Sequence, residues 1–410
     1  MPKGFFSRAQ LNECLPPEKR SGNPIGAARC GGACKLFRNV KSPRMPPSGL
    51  GSLPILFIAE APGEVEDGAG VQLVGPAGQV LRDVLQELGL DLDSHARKIN
   101  AVNCRPTNSY GSNRTPEPEE VEACRFIWQQ EMKHRPPKLV VLLGGTAIKS
   151  YWGGRVRAEE FSVEHWRGFQ IPDHENNCWV VATYHPSYIL YEAKHPQVRT
   201  VFKLDVYQAL QKLQQPLPPD PNNIKVEVIH SPEEVNQYLD AITAPVIAFD
   251  YETTGIRPYA PHAKIVSCAI SSVPGEAVAF LLHPDIEPHL RALLADPSVR
   301  KIAANLKFEH QWSAVKLGVE VQGWAWDTVV QSHVIDHRTG IHSLKWESFV
   351  QLGARNWSGD VDNFLSSPDN DPNLPNRIHL IHSEDLLKYN GIDAAMELLL
   401  ALHQRRKIGI

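Results

Sequence analysis

Nowhere in the 410 residues does an apolar run approach the roughly 18 residues that a helix needs to cross a bilayer. The stretch from Met1 to Arg20 also lacks the continuous apolar core of a secretory signal, so the protein is expected to be intracellular, in the cytoplasm, with no membrane partner. Cysteine is sparse. Seven in a chain of this length make a poor disulfide framework, and in a reducing compartment clustered thiols more often bind metal or act catalytically. No internal repeat is present, which excludes a repeat architecture, and no low-complexity tract occurs outside one proline-rich segment. Nor does either sign of charge dominate, the formal net charge being -4.

Hydrophobic residues make up 42% and charged residues 21%, which excludes global disorder and supplies enough apolar surface for two cores. The modest net charge hides an asymmetry. Residues 1–215 carry 26 Lys+Arg against 22 Asp+Glu, and the remainder 16 against 24. The first fifty residues, rich in Pro, Gly and basic side chains, hold 9 basic against 2 acidic groups and are expected to be irregular. A basic front suits a polyanion and an acidic rear suits divalent cations, although ordinary solvated surfaces give the same balance.

The chain divides at residues 214–224, where four prolines among polar residues can neither continue a helix nor join a sheet interior. This linker separates a domain over 1–213 from one over 225–410. Before it, strand-length runs (Ile55 to Ala59, Ile99 to Val102, Leu139 to Leu143, Trp179 to Thr183) alternate with helical patterns at Gly78 to Leu90 and Glu119 to His134, which predicts an α/β domain with a mostly parallel sheet. After it come Lys225 to Ile229, a helix over Pro232 to Ile242, and strands over Val246 to Phe249, Ile265 to Ile270 and Ala277 to Leu282. Helices then dominate.

Asp250 and Glu252 follow the apolar run Val246 to Phe249, and residues i and i+2 of a strand share a face. Two like charges so placed repel unless a cation lies between them, and a hard cation such as Mg2+ prefers oxygen ligands. Alone, an Asp-x-Glu pair is a common surface feature. Three further features sharpen it: Asn305 to Glu309 after the apolar Ile302-Ala-Ala304, Asp327 opening a helical pattern, and Tyr389 four residues before Asp393, on one helix face. Together these motifs resemble the tyrosine-containing subgroup of the DEDD exonucleases, the proofreading domain of family A DNA polymerases, over residues 225 to 405.

That resemblance implies a ribonuclease H-like domain with a mixed sheet and a 3'-5' exonuclease with two Mg2+ or Mn2+ ions. Asp250, Glu252 and Asp393 would hold the metals, Glu309 would complete the acidic set, and Tyr389 would orient the attacking water. Asn305, Asp327 and Lys345 would support the site or the strand. Two metal ions can activate water and neutralise the leaving oxygen, so no covalent nucleophile is required. Glu309 stands where many relatives have Asp.

In the first domain, Ile55 to Glu60 runs into Ala61-Pro-Gly63 and the glycine-rich Gly70 to Gly78. Downstream lie Asn100 to Pro106 and His185-Pro-Ser187. A glycine-rich loop between strand and helix allows close backbone approach to a ligand but is weak alone. As a set the three segments resemble the uracil-DNA glycosylase superfamily, family 4 above all, over residues 28 to 213, with an α/β/α sandwich implied. Asn100 would pair with the edge of a flipped-out uracil and His185 would stabilise charge on the departing base. Glu60, Ala61 and Gly63 would shape the water-holding loop, with Glu66 and Asp67 beside it. Leu73 occupies the place where the family stacks uracil on Phe, and Ala61 the place where the best-studied glycosylases keep an Asp. The domain therefore either excises uracil or only binds DNA.

Cys30, Cys34, Cys104 and Cys124 resemble the four thiolates that hold a [4Fe-4S] cluster in family 4, with Cys-x3-Cys in place of the common Cys-x2-Cys. Zn2+ is the alternative, since four thiolates suit either. Cys14, Cys178 and Cys268 read as packing residues. The domain order resembles the front of certain phage-type polymerases, and since no polymerase motif precedes Ile410, synthesis is expected from a separate DNA polymerase polypeptide or a longer parent chain. The substrate expected is DNA with single-stranded 3' ends, uracil-containing or not. Two other readings share these residues: a replisome accessory DNA-binding protein with an inactive glycosylase domain, and an RNA-processing exonuclease.

Overall fold

A computed structural model describes residues 34–156, 161–359, 361–368, 371 and 373–409. The chain falls into two compact units that meet between Pro218 and Pro219.

The first unit is built on strands β1 (Ile55–Ala59), β2 (Ala96–Asn100), β3 (Leu139–Leu143), β4 (Gln170–Asp173) and β5 (Cys178–Thr183), in the order β2-β1-β3-β5-β4. All neighbours are parallel except β4, which runs antiparallel to β5. Every residue of β1 and β3 is buried, as expected of strands covered on both faces. Helix α1 (Glu64–Ala69) and helix α2 (Pro76–Glu87) follow β1; α2 starts on a proline, whose missing N–H is no loss in a first turn, and buries Leu81, Val84 and Leu85. These pack with Phe57, Val141, Val181 and Phe202. Because four strands run the same way, the loops after β1, β2, β3 and β5 emerge at one edge of the sheet, where open α/β sheets receive ligands.

Strand β2 begins before the apolar run that announced it. Lys98 lies wholly buried inside it, its ammonium donating to Asp93 and to the Gln72 carbonyl, so a charged letter masks a core position.

The second unit holds β6 (Lys225–Val228), β7 (Val246–Thr253), β8 (Ile265–Val273), β9 (Glu276–Leu281), β10 (Arg300–Ala303) and β11 (Trp324–Asp327), ordered β11-β10-β7-β8-β9-β6. β8 is antiparallel to β7 and β9, and the remaining pairs are parallel, a mixed sheet. Strand β7 runs on past Phe249 because Asp250 and Glu252 keep their backbone pairing with Ala269 and Ser267 of β8. The two carboxylates therefore sit inside the strand rather than after it.

One face of this sheet is covered by α3 (Ser383–Ile408), a helix of 26 residues. Gly391 lets it lie close: a Cβ there would come within 2.4 Å of Val226 Cγ1. Two shorter helices, α4 (Leu306–Trp312) after β10 and α5 (Thr328–Ile335) after β11, complete the frame around β7. No described helix is long and apolar enough to cross a membrane.

Candidate functional site

In the second unit, β7 presents Asp250 and Glu252 on one face, and α3 brings Asp393 over them. One oxygen from each of the three carboxylates lies within 4.8 Å of the others. Burial pushes all three upward from the ordinary carboxyl range, and repulsion within the trio adds to it at Asp250 and Glu252. Burial dominates at Asp250, followed by Asp393, and at Glu252, followed by Asp250. Asp393 rises to about 6, burial being opposed by Lys345 and by hydrogen bonds from Trp357 and Tyr389. Three like charges this close, Glu252 and Asp393 buried and Asp250 half-buried, are costly, and a divalent cation bound to hard oxygen donors removes the cost. The donor set fits such an ion.

The outer oxygens are held by neighbours. Asn390 Nδ2 donates to Asp250 Oδ2 at 2.6 Å while its own carbonyl accepts from Ser267 Oγ at 2.8 Å. Trp357 Nε1 donates to Asp393 Oδ1 at 2.8 Å. Tyr389, one turn before Asp393, accepts at its hydroxyl from Lys345 Nζ at 2.9 Å, and Lys345 also donates to Asp362 at 2.5 Å. Burial and the surrounding carboxylates keep the Tyr389 phenol protonated.

Glu309 stands outside the trio. It is buried on α4, its Oε2 has no hydrogen-bond partner, and burial followed by Asp250 pushes its carboxyl up. Asn305 begins that helix at φ 66, with its side chain exposed. Asp327 is not turned toward the trio; it caps α5 and accepts four backbone N–H groups, from Val329 and Val330 at 2.9 and 3.0 Å and from Asn305 and Leu306 at 3.1 and 2.9 Å. It thereby ties the start of the Glu309 helix to β11.

Sequence reasoning passed over three residues here. Glu397, one turn beyond Asp393, is fully buried, accepts from the Ala304 N–H at 3.0 Å and leaves Oε2 unpartnered. Its spacing of four from Asp393 was a usable signal. Asn390 and Trp357 carried none, the one being an ordinary helix residue and the other a loop aromatic.

In the first unit, Asn100 closes β2 beside Ala59, so Glu60 and Asn100 leave the sheet together. Asn100 Nδ2 is buried without a partner. Glu60 Oε2 accepts from Thr146 Oγ1 at 2.7 Å, and Glu66 accepts from the Gly75 N–H at 2.7 Å. Ala61 lies between Glu60 and Gly63, which caps α1. Asp67 points elsewhere, accepting from the Lys41 and Ser42 amides at 3.1 and 2.8 Å.

His185 follows β5. Its Nδ1 accepts from the Ser187 N–H at 3.2 Å and contacts Ser187 Oγ at 2.7 Å, so the proton belongs on Nε2. Burial lowers the His185 pKa, against the pull of Glu60 and Glu66. A neutral imidazole with a free Nε2–H is a donor suited to a developing anion. Leu73 is buried at φ 55, and a Cβ on Gly78 would meet its carbonyl oxygen at 1.9 Å, so glycine at 78 is required for the turn.

Cys34, Cys104 and Cys124 line one pocket with Phe37 and Asn103, and the Arg44 N–H donates to Cys104 Sγ at 3.1 Å. A backbone donor aimed at sulfur among converging thiols fits a thiolate-bound metal centre. Cys30 and Cys14 lie outside the described residues. Cys178 and Cys268 are buried in strands, and burial pushes the Cys178 thiol up to about 12.

With both sets of side chains placed, comparison with known proteins gives the class. Residues 226–349 match the 3'-5' exonuclease family, so the second unit is a 3'-5' exonuclease domain and the chain is a hydrolase with nuclease activity. That match stops before α3, which supplies Tyr389 and Asp393. Residues 46–211 match the uracil DNA glycosylase superfamily, and the chain belongs to that superfamily through its first unit. It is 35% identical over 155 residues to the type-4 uracil-DNA glycosylase of Thermotoga maritima, covering 38% of this chain and 75% of that protein. The type-4 enzyme of Archaeoglobus fulgidus is 32% identical over 181 residues, 42% of this chain and 82% of the enzyme. A DNA polymerase of Bacillus phage SP01 is 23% identical over 346 residues, which span 75% of this chain and 35% of the polymerase.

Proposed function

We propose that the second unit removes nucleotides from DNA 3' ends, with Asp250, Glu252 and Asp393 holding two Mg2+ or Mn2+ ions. The convergence of those three carboxylates within 4.8 Å carries the reading. Bound there, the ions would lower the pKa of water and neutralise charge on the phosphate and on the leaving 3' oxygen. The chain's own groups do the rest. Tyr389, protonated and held by Lys345, orients the attacking water through its hydroxyl. Asn390 and Trp357 fix the carboxylate planes, Glu309 completes the acidic set behind Asp250, and Asp327 acts on the site by anchoring α4.

The first unit reads the edge of an extruded uracil through the unpartnered Asn100 Nδ2, while His185 Nε2–H supports the anion of the departing base. Leu73 offers an aliphatic surface in place of an aromatic one, which weakens stacking by about 1 kcal/mol or more. Cys30, Cys34, Cys104 and Cys124 would hold a [4Fe-4S] cluster, or Zn2+ in its place. The phage polymerase similarity supports work beside a DNA polymerase.

Single strands of DNA and of RNA, each with and without one uracil-specific label site, separate the readings. Chelator-sensitive shortening of DNA in preference to RNA is expected, and preference for RNA would replace the DNA assignment. Abasic sites formed in chelator and lost on Asn100→Ala are expected of the first unit; their absence in folded protein leaves DNA binding as its function.

A further inference from the structure

The Asp250 and Asp393 carboxylates of the trio are steadied in different ways. Asp250 takes its donor from Asn390, fixed within α3 and backed by Ser267. Asp393 accepts from the Tyr389 hydroxyl on its own helix and, from outside that helix, from Trp357, in the loop after Gly353 and 36 residues away in sequence. That loop is pinned at its start: the Arg355 N–H donates to Asn222 Oδ1 at 2.6 Å, and Asn222 Nδ2 donates to the Gly353 carbonyl at 3.3 Å. Farther on, the Ser358 N–H donates to Asn356 Oδ1 at 2.9 Å and the Val361 N–H to the Ser358 carbonyl at 3.0 Å. The indole is thus presented by a braced loop, with its N–H on Asp393 and its ring lining a groove shared with Phe364, Leu380, Lys388 and Tyr389.

We propose that Trp357 is a positioning residue that sets the affinity of the Asp250, Glu252 and Asp393 trio for a divalent cation; this rests on the metal-dependent reading given above. An aspartate can rotate freely about its last bond, so a carboxylate without an outer donor spends part of its time turned away from its partners. A donor at 2.8 Å selects one orientation and offsets part of the repulsion among the three acids. Removing such an outer donor typically weakens metal binding by about 10- to 100-fold. The ring and the N–H have separable effects, since the ring faces the groove and only the N–H reaches Asp393.

The test is a titration of the full chain with Mn2+, reading free Mn2+ by electron paramagnetic resonance, with the Asp250→Asn protein as background. Trp357→Phe keeps a ring in the groove and loses the donor. It is expected to weaken Mn2+ binding by about 10- to 100-fold, with the melting temperature and the KM for single-stranded DNA at saturating Mn2+ unchanged. Trp357→Ala is expected to show the same loss of Mn2+ affinity together with a raised KM. Binding by Trp357→Phe within about two-fold of the native protein overturns the inference and leaves the metal reading standing. Identical binding by the native protein and Asp250→Asn overturns both.

Discussion

Replacing Asp327 tests how the fold carries Glu309 to the site. The carboxylate gathers four N–H groups, three on Oδ1 and one, from Leu306, on Oδ2. Loss of a helix cap alone costs about 1 kcal/mol, and each further hydrogen bond to a charged acceptor about 1.5 kcal/mol where the donor cannot reach water. The Asn305 amide is exposed and finds water, whereas the Leu306 amide is partly covered. Asp327→Ala is therefore expected to cost about 2 to 3 kcal/mol, and Asp327→Asn, which keeps the Oδ1 bonds, about 1 kcal/mol. A chain of two units need not unfold in one step, so the fitting assay is hydrogen exchange of segments 304–309 and 327–332 in the full protein. Exchange there is expected to quicken by about 30- to 160-fold in Asp327→Ala, the rate equivalent of that free energy. Nuclease activity should fall while Mn2+ affinity holds, since Asp327 is not among the three converging acids. Exchange within about three-fold of the native rate, or faster exchange spread evenly over both units, would refute the anchoring role.

Other outcomes follow from the same geometry. The folded-state pKa values of the trio are raised, so the metal-free fold favours their protonated forms; the contribution of Asp393 to stability is full below its unfolded value of 3.8 and is lost as pH climbs through about 6. Mg2+ replaces the protons, so it should raise the melting temperature more at pH 7.5 than at pH 5.5, and an equal rise at both would contradict this. Gly391→Ala drives a methyl into Val226 and is expected to cost about 1 to 3 kcal/mol, with relief in the double variant carrying Val226→Ala; thermal melting without that rescue would show the contact to be unimportant. Asn100→Ala removes a buried donor that already lacks a partner, so stability should change by less than about 1 kcal/mol while any uracil excision disappears. A large destabilisation would instead make Asn100 a structural residue.

Much of this was legible in the chain itself. Period-two spacing put Asp250 and Glu252 on one face, and a spacing of four put Tyr389 and Asp393 on one helix face. The alternation of apolar runs with helical patterns announced the parallel sheet of the first unit. What stayed hidden depends on contacts between distant segments. Nothing local marks Trp357 as the donor to Asp393 or Asn390 as the donor to Asp250, and Asp327 looks like one more acid until its four amide partners are seen. Lys98 shows the same blindness at the level of the core, because a buried ammonium reads as surface. The strand β7 outran its apolar letters since backbone pairing with β8 is indifferent to the charge of the side chains that point off the sheet.

The most direct test of the central claim follows a 5'-labelled DNA single strand with the full chain and Mg2+, beside Asp393→Asn. The native protein is expected to give a ladder shortening from the 3' end that chelator stops, and Asp393→Asn, folded by its melting temperature, to slow it by at least about 100-fold, the scale seen when one stabilising group is lost from an active site. Shortening that survives Asp393→Asn or chelator, or none from the native protein at all, would contradict a metal-dependent 3'-5' exonuclease centred on Asp250, Glu252 and Asp393.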